Sequence, residues 1–375
     1  MVIKDSYELF AQVPLQMLWN FKRSRKCLFS IAITTFIFGT LFITHSWTQS
    51  PRTLLSGNPQ DPAERLPTTA PDPKIPHSTC AHLPGIESIF IVLKTGATES
   101  QKKLPIHFRT LLKCVSSYVL VSDLDERVEG HPVLDVLANV SSDIVQNNKD
   151  FILYKELLRY QQESLNISDL VDTPDKVKMA WNLDKWKFLP MMTKAYQTRN
   201  DAKWYLFIEA DTYIVLSTLL IWLNKLTSEK PWYIGGQSWI AGHIFAHGGT
   251  GYVISNPAMK LLTDMLAIKK KEMEELTSAE WAGDLVLAKA LEQVGVDLTP
   301  SWPIFQGETP YSLDYTERHF CFPVVSYHHV DAEWIQRLWD FEQEWISEHV
   351  RYLRCDRPTL AKFLYLGYHQ TDPTQ

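Results

Sequence analysis

Three short apolar runs punctuate the middle of the chain, and each ends on polar residues. Ile89-Phe90-Ile91-Val92-Leu93 runs into Lys94-Thr95-Gly96. Tyr118-Val119-Leu120-Val121 runs into Ser122-Asp123, and Trp204-Tyr205-Leu206-Phe207-Ile208 runs into Glu209-Ala210-Asp211. Unbroken apolar runs of this length predict strands buried on both faces. A helical stretch around residues 103–113 separates the first two. Strands alternating with helices imply an α/β domain with a mainly parallel sheet covered on both sides. Ligands of such sheets bind at the carboxyl ends of strands, which is where Thr95, Gly96, Glu209 and Asp211 fall.

The N-terminal pattern is different. Residues 27–44 carry no charge and are rich in Phe, Ile, Leu and Thr. At about 1.5 Å per residue they cover about 27 Å, enough to cross a thin bilayer. Lys22, Arg23, Arg25 and Lys26 precede the run, so residues 1–26 are expected to be a cytoplasmic tail and the rest lumenal. Residues 45–84 carry Pro51, Pro59, Pro62, Pro67, Pro71, Pro73 and Pro76 among polar filler and read as an extended stem. Residues 85–375 then form the folded lumenal domain. Asn139-Val140-Ser141 and Asn166-Ile167-Ser168 are acceptor sequons beyond the expected anchor, which makes Asn139 and Asn166 glycosylation candidates. Cys80, Cys114, Cys321 and Cys355 also lie beyond it, an even number suited to an oxidising compartment, with three pairings open.

Four segments carry candidate chemistry. In the first, Glu209 and Asp211 stand one residue apart at the end of a strand, so both can point at one cation; solvated loop acids are the plain alternative. The second is Gly248-Gly249-Thr250-Gly251, followed by apolar Tyr252-Val253-Ile254. Its glycines allow close approach to a ligand, or simply a tight turn. Asp284 opens an amphipathic helix, as a cap or as a general base. His328 ends the apolar run from Val324 to Tyr327, as a metal ligand or as a hydrogen-bonded core residue.

Taken in order, these segments resemble glycosyltransferase family 31, the β1,3-transferases that include fringe and core 1 β1,3-galactosyltransferase. The resemblance spans roughly residues 85–330. The stretch Trp181-Asn182-Leu183-Asp184-Lys185-Trp186-Lys187 and the segment Lys94 to Glu99 look like a branch common in filamentous fungi. The resemblance implies a GT-A glycosyltransferase fold, a Rossmann-like mixed and mainly parallel sheet flanked by helices, behind the transmembrane helix. It also implies inverting chemistry, with Asp211 and His328 as metal ligands, Mn²⁺ as the metal and Asp284 as the catalytic base. Thr95, Gly96, Glu209, Gly248 and Gly249 would lie around a UDP-sugar. It further favours a Cys80–Cys114 bridge, leaving Cys321 and Cys355 as the other pair. The implied activity is transfer of a hexose, galactose by analogy and in β1,3 linkage, to a glycan or glycoprotein acceptor. Family members commonly carry Asp where this chain has Glu209, and His329 beside His328 offers a rival imidazole. Lys185 and Lys187 read as solvated helix charges with a lesser claim to meet the diphosphate.

A net charge of −6 gives no basic footprint, so nucleic acid is not an expected partner. The expected partners are a nucleotide sugar, an acceptor glycan, the membrane through one helix, and as a further candidate a second copy of the chain. The expected location is the Golgi or ER membrane. Two other classes fit the same residues: a catalytically inactive relative acting as a membrane-tethered sugar- or protein-binding factor, and a metal-dependent lumenal hydrolase. The topology has its own test. Glycosidase treatment of the expressed chain should increase its gel mobility, and protease added to sealed microsomes should leave residues 85–375 intact; digestion would reverse the assignment.

Overall fold

The structure is a computed structural model that describes Cys80, residues 83–170 and 174–314, Thr316, His319 and residues 322–349. The expected anchor, nearly all of the stem, and Cys321 and Cys355 lie outside the described residues. Among the described residues no helix is long and apolar enough to cross a membrane.

The three apolar runs form neighbouring parallel strands: β1 (Ile89–Lys94), β2 (Tyr118–Ser122) and, later in the chain, β5 (Trp204–Glu209). Around them lie β3 (Glu126–Val128), β4 (His131–Asp135), β7 (Tyr233–Gly235), β10 (Tyr252–Ser255) and β11 (Leu298–Pro300). The order across this eight-stranded sheet is β11-β7-β10-β5-β1-β2-β4-β3. Only β3 and β10 run against the rest. Reversal of β10 matters for function: its first residue, Tyr252, pairs with Phe207, so the glycine turn before it sits beside the carboxyl end of β5. Two small ribbons complete the strands: β6 (Tyr213–Ile214) with β12 (Ser326–Tyr327), and β8 (Gln237–Ile240) with β9 (His243–Ala246).

The longer helices are α1 (Ile152–Gln162), α2 (Pro174–Asp184), α3 (Phe188–Thr198), α4 (Leu216–Leu223), α5 (Asn256–Ile268), α6 (Lys270–Ala279), α7 (Gly283–Glu292) and α8 (Ala332–His349). Alternate strand residues feed two cores. Phe90, Val92, Tyr205 and Phe207 pack with α3, α5 and α7 on one face. Ile89, Ile91, Leu206 and Ile208 pack with Leu104, Leu111 and α4 on the other. That two-sided burial is why the strands read as continuous apolar runs.

The helical stretch expected around 103–113 is helical, in short pieces: Ser100–Lys103, Pro105–Arg109 and Leu111–Cys114. Pro105 has no N–H to continue a helix and starts a new one. The backbone at Thr110 then leaves the helical region. The last turn carries Cys114 to the bridge with Cys80. At a separation of 34 residues this bridge should contribute about 3 to 4 kcal/mol in the chain-entropy model. Cys114→Ser should therefore lower the denaturant midpoint by that equivalent; an unchanged midpoint would show that the bridge does not constrain the unfolded chain.

Candidate active site

The register of β1 on β5 sets Lys94 directly beside Glu209 at the carboxyl edge of the sheet. Lys94 is buried, and its ammonium lies 3.1 Å from Glu209 Oε1 and also pairs with Asp184 at the end of α2. Burial works against the Lys94 charge, but Asp184 and Glu209 outweigh it and raise its pKa. Burial likewise opposes the Glu209 charge. The Lys94 ammonium and His328 override it and hold the carboxyl well below its usual range.

Lys187 is 2% exposed, which overturns the expectation of a solvated helix charge. It donates to Thr95 O at 2.8 Å and pairs with Asp184 at 3.0 Å and Asp123 at 3.4 Å. Lys185 is also largely buried, 2.9 Å from Asp150. A Lys in this run carries no sequence mark separating an inward from an outward position, so the network was not legible. Its effect is to tie Thr95, at the end of β1, to the helix junction. Gly96 follows, beside the Asp123 carboxylate, and Ala97 N–H donates to that group at 2.7 Å.

Asp211 lies just beyond β5. Ala210 N–H donates to Lys94 O, and the buried His107 ring contacts Ala210 O at 2.9 Å, which fixes the chain between the two acids. Antiparallel pairing of Tyr327 with Tyr213 then delivers His328 from near the other end of the domain, and Val330 N–H donates to Asp211 O at 2.9 Å. His328 Nε2 faces Asp211 Oδ1 at 3.5 Å and Glu209 Oε2 at 3.7 Å. These gaps exceed a normal hydrogen bond. Burial opposes the Asp211 charge, yet His328 and Lys103, at 3.2 Å, hold its pKa down at about 2. Burial also opposes charge on His328, but the two carboxylates push it up to about 9.

Three features of His328 fit a cation site. Asp211, His328 and His329 present ligand atoms within 4.8 Å of one another. His328 Nδ1 is buried and, among the described residues, has no hydrogen-bond partner, while Nε2 is the ring nitrogen turned to the carboxylates of Asp211 and Glu209. A Cβ on Gly249 would come within 2.1 Å of the His328 ring, so this position must be glycine for the imidazole to stand where it does. His329 is exposed, with φ 58°, and remains the second imidazole of the cluster. Oxygen with imidazole donors suits a divalent transition ion.

Asp284 meets the same glycine turn at Gly248. Its helix begins at Gly283, with Ala282 as the cap residue, so Asp284 is not the cap. Its Oδ2 accepts from Gly248 N–H at 3.1 Å and its Oδ1 from Leu285 N–H at 2.9 Å. Burial raises its pKa to about 6, a raise that these two donors oppose. Phe188 packs against both ends of this arrangement. A Cβ on Gly283 would come within 2.2 Å of its ring, and one on Gly248 within 3.1 Å. Asn139 and Asn166 are both exposed.

Sequence comparison agrees with this geometry: residues 85–335 match the Fringe-like family, which is glycosyltransferase family 31. The chain belongs to that family. It is a family of glycosyltransferases, and membership implies a nucleotide sugar and a glycan acceptor. Within the Fringe-like match fall Glu209, Asp211, Asp284 and His328, as well as the buried lysines. His247, which the sequence reading passed over, lies against the cluster, 5.4 Å ring to ring from His328. Only its position directly before Gly248 could have singled it out.

The glycine requirement is testable. Gly249→Ala should displace the His328 imidazole and weaken divalent-ion binding at the Asp211–His328 cluster while the far-ultraviolet circular dichroism stays native. Unaltered binding would mean that His328 is not needed where it stands.

Proposed function

We propose that the chain is an inverting, Mn²⁺-dependent glycosyltransferase of GT-A fold that moves a hexose, galactose by family analogy, from its UDP-sugar in β1,3 linkage. The eight-stranded sheet flanked by helices supports the fold assignment. The single observation that carries the reaction is convergence. Glu209, Asp211 and His328 meet at the carboxyl end of β5, and Asp284 meets the glycine turn at Gly248. With the basic tail and apolar run at the N-terminus, we place the enzyme in the Golgi or ER membrane with its folded part in the lumen.

Asp211 and His328 would hold the metal, with His329 beside them. The ion, when bound, supplies positive charge against the diphosphate of the leaving UDP. Thr95, Gly96 and the glycine turn would line the donor. Asp284 takes the proton of the acceptor hydroxyl at a carboxylate oxygen as that hydroxyl's oxygen bonds to the anomeric carbon and the bond to UDP breaks on the opposite face. Backbone donors on both of its oxygens fix the direction of the carboxylate before the acceptor arrives. Glu209 in place of the usual Asp uses its extra methylene to reach Lys94 while still facing His328.

One observation favours a second reading. Lys94 and Lys103 already neutralise Glu209 and Asp211, as they would in a sugar-binding relative that has lost activity. Mutants separate the two. Asp284→Asn should keep Mn²⁺-dependent UDP binding and cut transfer by about 10² to 10⁴-fold. Asp211→Asn should weaken UDP binding itself. For the native enzyme kcat/KM should fall as pH drops below about 6, because the base must be ionised and its pKa lies there. UDP binding with neither transfer nor UDP-sugar hydrolysis would establish the inactive reading, and a fully active Asp284→Asn would remove Asp284 from the mechanism.

A further inference from the structure

Two large exposed aromatic side chains meet each other, one of them three residues before Asp284. Trp181, on α2, is 54% exposed, and Trp281, just before α7, is 38% exposed. Their rings lie nearly parallel, 18° apart with centroids separated by 6.5 Å. Leaving so much apolar ring in water is unfavourable for folding alone, and clustered exposure of this kind marks a binding surface.

The pair is also held in place. Phe245 of β9 packs edge-on against Trp281 at 6.2 Å. Glu280, one residue earlier, is fixed twice: its carbonyl accepts from Lys185 Nζ at 3.0 Å, and its carboxylate meets Lys289 at 2.6 Å. Ala282, one residue later, is buried. The same strand that supports Trp281 continues into Gly248, whose N–H donates to Asp284. Trp281 and Asp284 are therefore fastened to one segment, and three residues of chain span at most about 10 Å.

We infer that Trp181 and Trp281 form an acceptor subsite, an aromatic shelf on which the apolar face of a neutral pyranoside lies with one hydroxyl directed at Asp284. The inference rests on the glycosyltransferase reading above. A pyranose ring offers C–H groups on a flat face and hydroxyls around its edge. An exposed aromatic surface receives the C–H face and leaves the edge hydroxyls free to turn to Asp284 and to solvent. Family membership implies a glycan acceptor, so a pyranose is the occupant that fits an aromatic surface this close to the base candidate. The shelf thus makes the sugar itself, and not merely its carrier, a determinant of acceptor choice.

The test uses the full-length chain with UDP-galactose and UDP-glucose as donors. Methyl glycosides of galactose, glucose, mannose and N-acetylgalactosamine serve as acceptor probes. At least one glycoside should raise UDP release above donor hydrolysis. Trp181→Ala and Trp281→Ala should each raise the KM for that glycoside roughly three- to tenfold, the usual worth of one aromatic face. Trp281→Phe should recover most of the loss. The affinity for UDP with Mn²⁺ should not change, and neither should the glycoside KM of Ile268→Ala, an exposed apolar residue outside the cluster. An unchanged KM in both Trp variants overturns the inference, as does failure of every glycoside to stimulate release. Loss of UDP affinity in parallel would assign the pair a structural role instead. Absence of Mn²⁺-dependent UDP binding in the native chain would defeat the enzymatic reading first, and the subsite with it.

Discussion

Lys94 and Lys187 are buried at the carboxyl edge of the sheet, where Asp123, Asp184 and Glu209 would otherwise repel one another in a poorly solvated space. The arrangement of the candidate site follows from that pairing. Because β1 and β5 are parallel neighbours in register, the strand-end lysine and the strand-end acid lie side by side without any loop having to bring them together. Asp184 then bridges the two lysines and anchors the junction of α2 and α3, which in turn presents Phe188 to both the glycine turn and the start of α7. Removing Lys187 would leave Asp123 buried without its counter-charge, a far larger penalty than loss of a surface pair.

A second constraint is steric. An imidazole, a phenyl ring and two carboxylates crowd around one turn, which has room for them because its glycines carry no side chains. Gly249 leaves space for the His328 ring, Gly248 lies against Phe188 and the Glu209 carboxylate, and Gly251 adopts φ 75° where most residues would be strained. Thr212 Oγ1 donates to Gly249 O at 2.8 Å, so the turn is also bonded to the residue that follows Asp211. Metal-ligand candidates and base candidate are thus positioned by one backbone segment.

Much of this could be read from the chain. Strands β1, β2 and β5 announce themselves because burial on both faces leaves no polar position until the strand ends. The acids, the glycine turn, Asp284 and His328 stand where element boundaries predict, and the order of the motifs points to the family. What escaped notice depends on long-range placement. Lys187 reads like any lysine near a helix, and only packing shows that it points inward. Nothing local to Ser326-Tyr327 says that this ribbon will pair with Tyr213-Ile214 and carry His328 back to Asp211. The break of the 100–114 region into three turns has a visible cause in Pro105, whereas the turn at Thr110 has none in its own sequence.

Helix α8 adds a condition on where this domain ends. Glu342 is 3% exposed and accepts from Tyr213 Oη at 2.6 Å and from Ser217 Oγ at 2.7 Å. Those partners sit two and six places after Asp211, so a residue of the last described helix fastens the chain immediately behind the candidate metal ligand. The match to the family stops at residue 335, short of Glu342. A fragment cut at the border of recognisable kinship would therefore keep every motif and lose the clasp that braces them, leaving the phenol and hydroxyl of Tyr213 and Ser217 without their shared acceptor. In this protein the boundary of homology and the boundary of the mechanical unit are different places.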